Sequence, residues 1–289
     1  MPGERILATG ASGRLGAVLR EHAAMTSRRL ACWSGPTTRD PGLRPVEITD
    51  PRAVETALAA DDPSVVIHAA AVSAAGEAYR DPERARKVNV EATARVADWC
   101  VRHHRRLILV STDLVFDGTG SWRAEDDLAR PVMVYGQTKR AAEMVLEGRP
   151  GCLSARMSLL YGPTPSARGS FFDQAIASLR SGVPQAFFTD EFRTPLDYAT
   201  AARVLLMLAT THLIGIVHVG GPERMSRHEH MRQCAIALGI DPTLALPNQS
   251  RDVPSAEPRP LDVSLDSSRL LEHLPDLRRP TVRDALAAR

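Results

Sequence analysis

Short apolar runs rich in β-branched residues fall at residues 5–8, 29–33, 65–69 and 107–111, and between them the apolar positions recur with a helical period near 14–24, 51–60, 82–103 and 136–147. Strand and helix alternating in this way predict an α/β fold with a doubly wound parallel sheet. The run Ser64-Val65-Val66-Ile67-His68-Ala69 is apolar almost without interruption, as expected of a strand covered by helices on both faces. After a further strand at 152–156 the regularity weakens: Tyr161-Gly162-Pro163-Thr164-Pro165 precedes a helix near 170–181, and a proline-rich tract runs from 247 to 260. A strand at 214–219 returns the chain to the sheet. The expected division is a nucleotide-binding domain over 1–157, its sheet completed by 186–219, and a smaller, discontinuous C-terminal substrate-binding region made of 158–185 and 220–289.

The first predicted strand runs into Thr9-Gly10-Ala11-Ser12-Gly13-Arg14-Leu15-Gly16, which then opens a helix. Three glycines in this context allow a tight turn, close approach of backbone to a pyrophosphate, and close packing of helix on strand. Gly10, Ser12, Gly13, Arg14, Leu15 and Gly16 are therefore candidate cofactor contacts on a Rossmann-type sheet. At the end of the second strand, where a carboxylate would take the ribose hydroxyls of NAD, the chain has Trp33-Ser34-Gly35. With Ser34 in that place, and Arg14 and Arg39 nearby to meet a 2′-phosphate, the expected cofactor is NADPH, with NADH as the alternative.

About a hundred residues on, Ser111-Thr112-Asp113 ends a strand and Tyr135-Gly136-Gln137-Thr138-Lys139 starts a helix. Tyr135 and Lys139 share a helix face. An ammonium beside a phenol favours phenolate, so Lys139 is expected to lower the tyrosine pKa and make Tyr135 a usable acid. Thr112 lies at the sheet edge where open α/β folds bind ligands, placed to polarise a carbonyl. These three residues are the candidate catalytic set for hydride transfer from the nicotinamide to a carbonyl, with Lys139 and Tyr135 also contacting the cofactor.

Composition narrows the picture. Lys and Arg number 36 against 34 Asp and Glu, a net charge of +2 that does not suggest a nucleic-acid surface. Four widely spaced cysteines and an N-terminus that enters a strand directly fit a reducing, cytoplasmic setting, and the apolar stretch 204–219 is too short and too interrupted to span a membrane. His228-Glu229-His230 suggests a metal fragment, but residues two apart on a helix diverge, so it is taken as a solvated helix start and no metal site is expected. The basic run Arg102-His103-His104-Arg105-Arg106 is taken as a hydrated connection.

These residues resemble the extended short-chain dehydrogenase/reductases over nearly the whole chain. The stretch Val110-Ser111-Thr112-Asp113-Leu114-Val115-Phe116-Asp117-Gly118, with Glu125, Asp127 and Pro131 leading to Tyr135 and Lys139, is similar to the dTDP-4-dehydrorhamnose reductase branch. The resemblance implies a reductase of a carbonyl on a nucleotide-linked deoxysugar or a similar polar metabolite. It places Ala69, Ala70 and Ala71 beside the cofactor, Glu47 and Ile48 near its adenine, and Asn89 as a structural helix residue. A homodimer would be in keeping with it.

The substrate half departs from the branch. Leu159 follows Arg156-Met157-Ser158 where a tryptophan is usual, and Arg193 in Asp190-Glu191-Phe192-Arg193-Thr194-Pro195 replaces a glycine. Arg193 and Arg259 are accordingly candidate substrate contacts, and Arg193 has a cofactor contact as its alternative role. The same branch is similar to the regulatory subunit of methionine adenosyltransferase, so a non-catalytic NADP-binding subunit stands as a second reading. Epimerase or dehydratase chemistry is a third, disfavoured because Asp113-Leu114 follows the threonine where dehydratases carry Asp-Glu.

Overall fold

The computed structural model describes residues 5–166 and 169–287. Its centre is a parallel sheet of seven strands: β1 Ile6–Thr9, β2 Leu30–Ser34, β3 Arg44–Pro45, β4 Val65–His68, β5 Arg106–Thr112, β6 Cys152–Met157 and β7 Gly215–Val219. Their spatial order is β7-β6-β5-β4-β1-β2-β3. The order reverses between β1 and β4, where Thr9 is paired with His68, and it is at such a point that the loops diverge and leave a crevice.

Each face of the sheet is buried by helices. On one side Ile6, Ala8, Ile67, Ile108 and Val217 pack with α1 (Arg14–Met25) and a late helix, Tyr198–Leu208. On the other, Leu7, Val66, Leu107 and Leu109 meet α2 (Pro51–Asp61), α3 (Ala92–Arg102) and α4 (Val134–Leu146). Strands covered on both faces need apolar side chains at every position, which is why β1 and β4 carry no polar alternation. Asp50 caps α2 by accepting from the N–H groups of Arg52 and Ala53, and Pro51 supplies the preset first-turn geometry.

The segment read as one helix over 82–103 is composite: a short helix at Pro82–Arg86, a π turn at Lys87–Glu91, then α3. The extra residue has a cause. Buried Asn89 accepts from the Val72 N–H at 2.8 Å and donates to the Val72 carbonyl at 3.1 Å and to Thr138 Oγ1 at 2.9 Å. A regular helix would carry that amide off line, so the π turn pins the loop after β4 to the helix bearing Lys139.

The rest of the chain forms a lobe with its own core of Tyr161, Phe172, Leu179, Phe187, Met225, Met231 and Val282. It is built on α5 (Phe171–Arg180) and α7 (Arg227–Ala237), α6 being the helix Tyr198–Leu208. Ser170 and Asp173 form a reciprocal capping box at the start of α5. Two expectations need correction here. The helix start at His228-Glu229-His230 is real, capped by Ser226, yet His230 is buried, edge-on to Tyr161 and 3.5 Å from Cys234 Sγ. The basic run after α3 is only partly hydrated, because half-buried Arg106 donates to the Leu213 carbonyl at 2.7 Å. Among the described residues no group of side chains is placed to hold a metal, no helix is long and apolar enough to cross a membrane, and all four cysteines are free.

Candidate active site

At the carboxyl end of β1 the chain turns on Gly10, whose φ of +68° is a left-handed conformation that favours glycine. A Cβ there would lie 2.7 Å from the Ala70 nitrogen, and one on Gly16 would lie 2.5 Å from Ala11 Cα. The loop is therefore closed down on its neighbours by the absence of side chains. Gly13 caps α1 without a side-chain acceptor, leaving the first N–H groups of the helix free for an anion. A cleft of about 620 Å³ follows, walled by Ser12, Gly13, Ser34, Glu47, Ile48 and the backbone of Ala69 to Ala71. Its shape, its small-residue walls and the bare helix end fit a dinucleotide.

The residues expected to read the 2′-position sort differently. Ser34 is buried at the cleft, and its Oγ has no partner among the described residues. The arginines are elsewhere. Arg14 Nε donates to the Tyr198 hydroxyl at 3.0 Å and Nη1 to the Gly169 carbonyl at 2.9 Å, and Arg39 is exposed and outside the cleft lining. Long side chains on a loop follow whatever acceptor the tertiary structure offers, which the sequence does not disclose.

A second space continues from Gly13, Arg14, Leu15 and Gly16 past Ala69 and Ala71 to Thr112 and Tyr135. Thr112 is the last residue of β5, and its hydroxyl donates to Asp113 Oδ1 at 3.2 Å while accepting from the Leu114 N–H at 3.2 Å. Tyr135 stands in the first turn of α4, its hydroxyl within hydrogen-bonding reach of Thr112. One turn later Lys139 is buried, 2% exposed.

The electrostatics correct one expectation. Burial pushes the Tyr135 phenol above its usual range, and the neighbouring Asp113 carboxylate adds to that; only the Thr112 hydrogen bond opposes them. Lys139 lies on the same face, but enclosure outweighs any help it gives. Burial also lowers Lys139 to about 8, against the opposing pull of Glu143. Tyr135 is thus held firmly protonated, and Lys139 is a lysine close to losing its proton.

Behind this pair lies a buried charged cluster that sequence reasoning missed. Arg156 on β6 donates to both oxygens of Glu143 at 3.0 and 2.9 Å, and Ser111 donates to Glu143 at 2.6 Å. Arg156 also meets His218 Nε2 at 3.2 Å. His218 Nδ1 faces the carbonyls of Arg123 and Asp266, so it is the protonated nitrogen of a neutral ring whose pKa burial lowers to about 3. The cluster fixes α4 against β5, β6 and β7. Glu143 falls four residues after Lys139, the spacing that puts the two on one helix face, and that was the available signal.

On the substrate side, Arg193 is buried with Nε 3.7 Å from Asp113 Oδ2. Ser158 donates to the same Asp113 oxygen at 3.0 Å and accepts from the Thr194 N–H at 3.2 Å. Burial raises the Asp113 pKa, and Arg193 is the largest opposing influence. Arg193 therefore sits beside Asp113, next to Thr112, and is no surface charge. Arg259 is placed otherwise: its Nη1 donates to the carbonyls of Ser250 and Val253, both at 2.9 Å, and its guanidinium lies 4.8 Å from the Phe188 ring centre. It staples the proline-rich tract and does not line the reaction space. Ser158, Leu159, Leu160 and Tyr198 do line it.

A glycine-loop cleft at the switch point of a parallel sheet, opening onto a threonine and a tyrosine with a lysine buried one helical turn behind them, defines an NAD(P)-dependent oxidoreductase of the extended short-chain dehydrogenase/reductase type. Comparison with known families agrees: residues 4–288 match the model of the RmlD substrate binding domain, and the chain belongs to that family. It is 32% identical over 281 residues to methionine adenosyltransferase 2 subunit beta of Xenopus tropicalis, covering 93% of this chain and 82% of that one. It is 31% identical over 294 residues to the dTDP-4-dehydrorhamnose reductase of Mycolicibacterium smegmatis, covering 99% and 86%. The dTDP-4-dehydrorhamnose reductase of Bacillus anthracis str. Ames, solved in complex with NADP, superposes with a TM-score of 0.88 over 99% of this chain and 98% of that one, at 22% identity.

Proposed function

We propose that this protein is an NADPH-dependent reductase of a carbonyl on a nucleotide-linked deoxysugar, as its dTDP-4-dehydrorhamnose reductase relatives are named. The observation that carries the reading is the continuity of the dinucleotide cleft with the space holding Thr112 and Tyr135. The cofactor, bound with its pyrophosphate over the start of α1, would supply hydride. Thr112 orients the substrate oxygen by turning its hydroxyl proton from Asp113 towards it. Tyr135, kept protonated by its burial and by Asp113, donates the proton that the developing alkoxide needs. Lys139, buried one turn further along the same helix face, is placed to stabilise the resulting phenolate. In this reading residues 158–185 and 220–289 hold the substrate, and Ser34 in place of a carboxylate favours NADPH over NADH.

The test is NADPH oxidation with dTDP-4-dehydrorhamnose by the wild type and by Tyr135→Phe. The expected result is turnover that falls by about 100-fold or more in the variant, the range for a lost general acid. Wild-type turnover by Tyr135→Phe would remove the tyrosine from the mechanism. Tight NADPH binding without turnover would favour instead a non-catalytic NADP-binding subunit.

A further inference from the structure

A second cavity adjoins the reaction space. The two share Arg14, Leu159, Leu160 and Tyr198, and the second runs on to Phe171 and Arg227. Two guanidinium groups line it and no carboxylate does. Buried arginines are ordinarily matched by an acceptor, because the charge is costly to remove from water.

The neighbouring arginines have such partners. Arg14 is engaged by Tyr198 and Gly169, Arg193 faces Asp113, and Arg259 is held by main-chain carbonyls. Arg227 is different. Among the described residues its side chain has no hydrogen-bond acceptor and no ion pair, and its guanidinium carbon lies 5.3 Å from the centre of the Phe171 ring. Burial lowers its pKa, and the charge of Arg193 adds to this, while Glu191 and Asp113 act in the other direction. A half-buried cation (Arg227) in an acid-free cavity contiguous with the reaction space is a receptor awaiting an anion.

We propose that Arg227 is the anion receptor of the substrate site, taking a phosphate or carboxylate oxyanion of the carbonyl substrate beyond Leu159 and Leu160. The planar fork of the guanidinium suits either group. Asp113 connects the two ends, since it is hydrogen-bonded to Thr112 and within electrostatic reach of Arg227. Arg193 is the countercharge that keeps Asp113 from repelling the anion. The assignment rests on the reading of Thr112 and Tyr135 as the reaction site, but it moves anion recognition away from Arg259.

The experiment is calorimetric titration of the NADPH-saturated protein with UDP and, separately, with D-glucuronate. The expected outcome is that at least one of them binds and that Arg227→Met weakens it by about 10- to 100-fold, as for loss of charge-assisted hydrogen bonds, with part of the affinity restored in Arg227→Lys. NADPH affinity, unchanged in these variants, reports that they are folded, and Arg227→Gln serves if the methionine variant is not. An effect on UDP alone identifies the anion as phosphate; an effect on glucuronate alone identifies it as carboxylate. If neither probe binds the wild type, or if both bind Arg227→Met as well as the wild type, the proposal is overturned. Turnover does not enter this readout, so a failure of the reductase reading would show separately.

Discussion

The two halves of the candidate site are built by different means. The cofactor half uses what is missing from side chains: Gly10, Gly13 and Gly16 bring backbone to backbone, and Ala69 to Ala71 present a wall with nothing projecting from it. The proposed substrate half depends instead on long charged side chains, Asp113, Arg193 and Arg227, brought together from three separate segments. Backbone recognition is fixed once the strand order is fixed. Side-chain recognition depends on where each side chain finds a partner.

The contrast is broken most directly in the cofactor half. Gly16→Ala should reduce NADPH affinity by about 100-fold or more and lower the melting temperature, because its Cβ would press on the Ala11 backbone at 2.5 Å. Gly76→Ala is the control, since its Cβ meets only Arg80 Nη1 at 3.6 Å on an exposed helix. Retained binding in Gly16→Ala would show that the loop is not held by close packing.

A smaller effect is expected where the halves meet. Activity that needs Lys139 charged should fall as pH rises through about 8, and Glu143→Gln should move that limb to lower pH by removing the carboxylate that supports the ammonium. The sign for stability is opposite. Below about 8 the folded state bears the full cost of a buried ammonium; between there and 10.5 it has shed the proton that the unfolded chain still holds, so stability rises over that window. Rate profiles and melting curves across pH 6 to 10.5 read both, and an alkaline limb that stays put in Glu143→Gln would separate the lysine from its neighbour.

The smallest effect is expected at Ser34. Ser34→Asp places a carboxylate at the end of β2, where it accepts from ribose hydroxyls and repels a 2′-phosphate. The ratio of NADPH to NADH affinities should shift towards NADH by about tenfold or more. An unchanged ratio would mean that the 2′-position is read elsewhere in the cleft.

How far the sequence disclosed this follows the same division. The strands, the glycine loop and the Thr112, Tyr135, Lys139 set were legible because each is a local pattern: an apolar run, a spacing of glycines, a four-residue helical offset. The π turn at Asn89 was not, since it exists to satisfy the Val72 backbone seventeen residues away. Arg14 and Arg259 were identified as basic residues in the right neighbourhood, but Arg14 finds its acceptors on distant segments and Arg259 folds back onto carbonyls of its own tract. The direction of the Tyr135 shift was misjudged because the spacing to Lys139 is visible in the sequence and burial against Asp113 is not.

The buried ions behind α4 bear on how the chain reaches this structure at all. Glu143 has one place in the core where Ser111 and Arg156 both meet it. Were the helix to dock one turn too far along, an unpaired carboxylate and an unpaired guanidinium would be left in an apolar layer, a cost of about 3–5 kcal/mol that no apolar contact there repays. Apolar side chains alone would tolerate such a slip. The ions thus set a cost on a misdocked helix that favours the single register in which Tyr135 and Lys139 stand in the native structure.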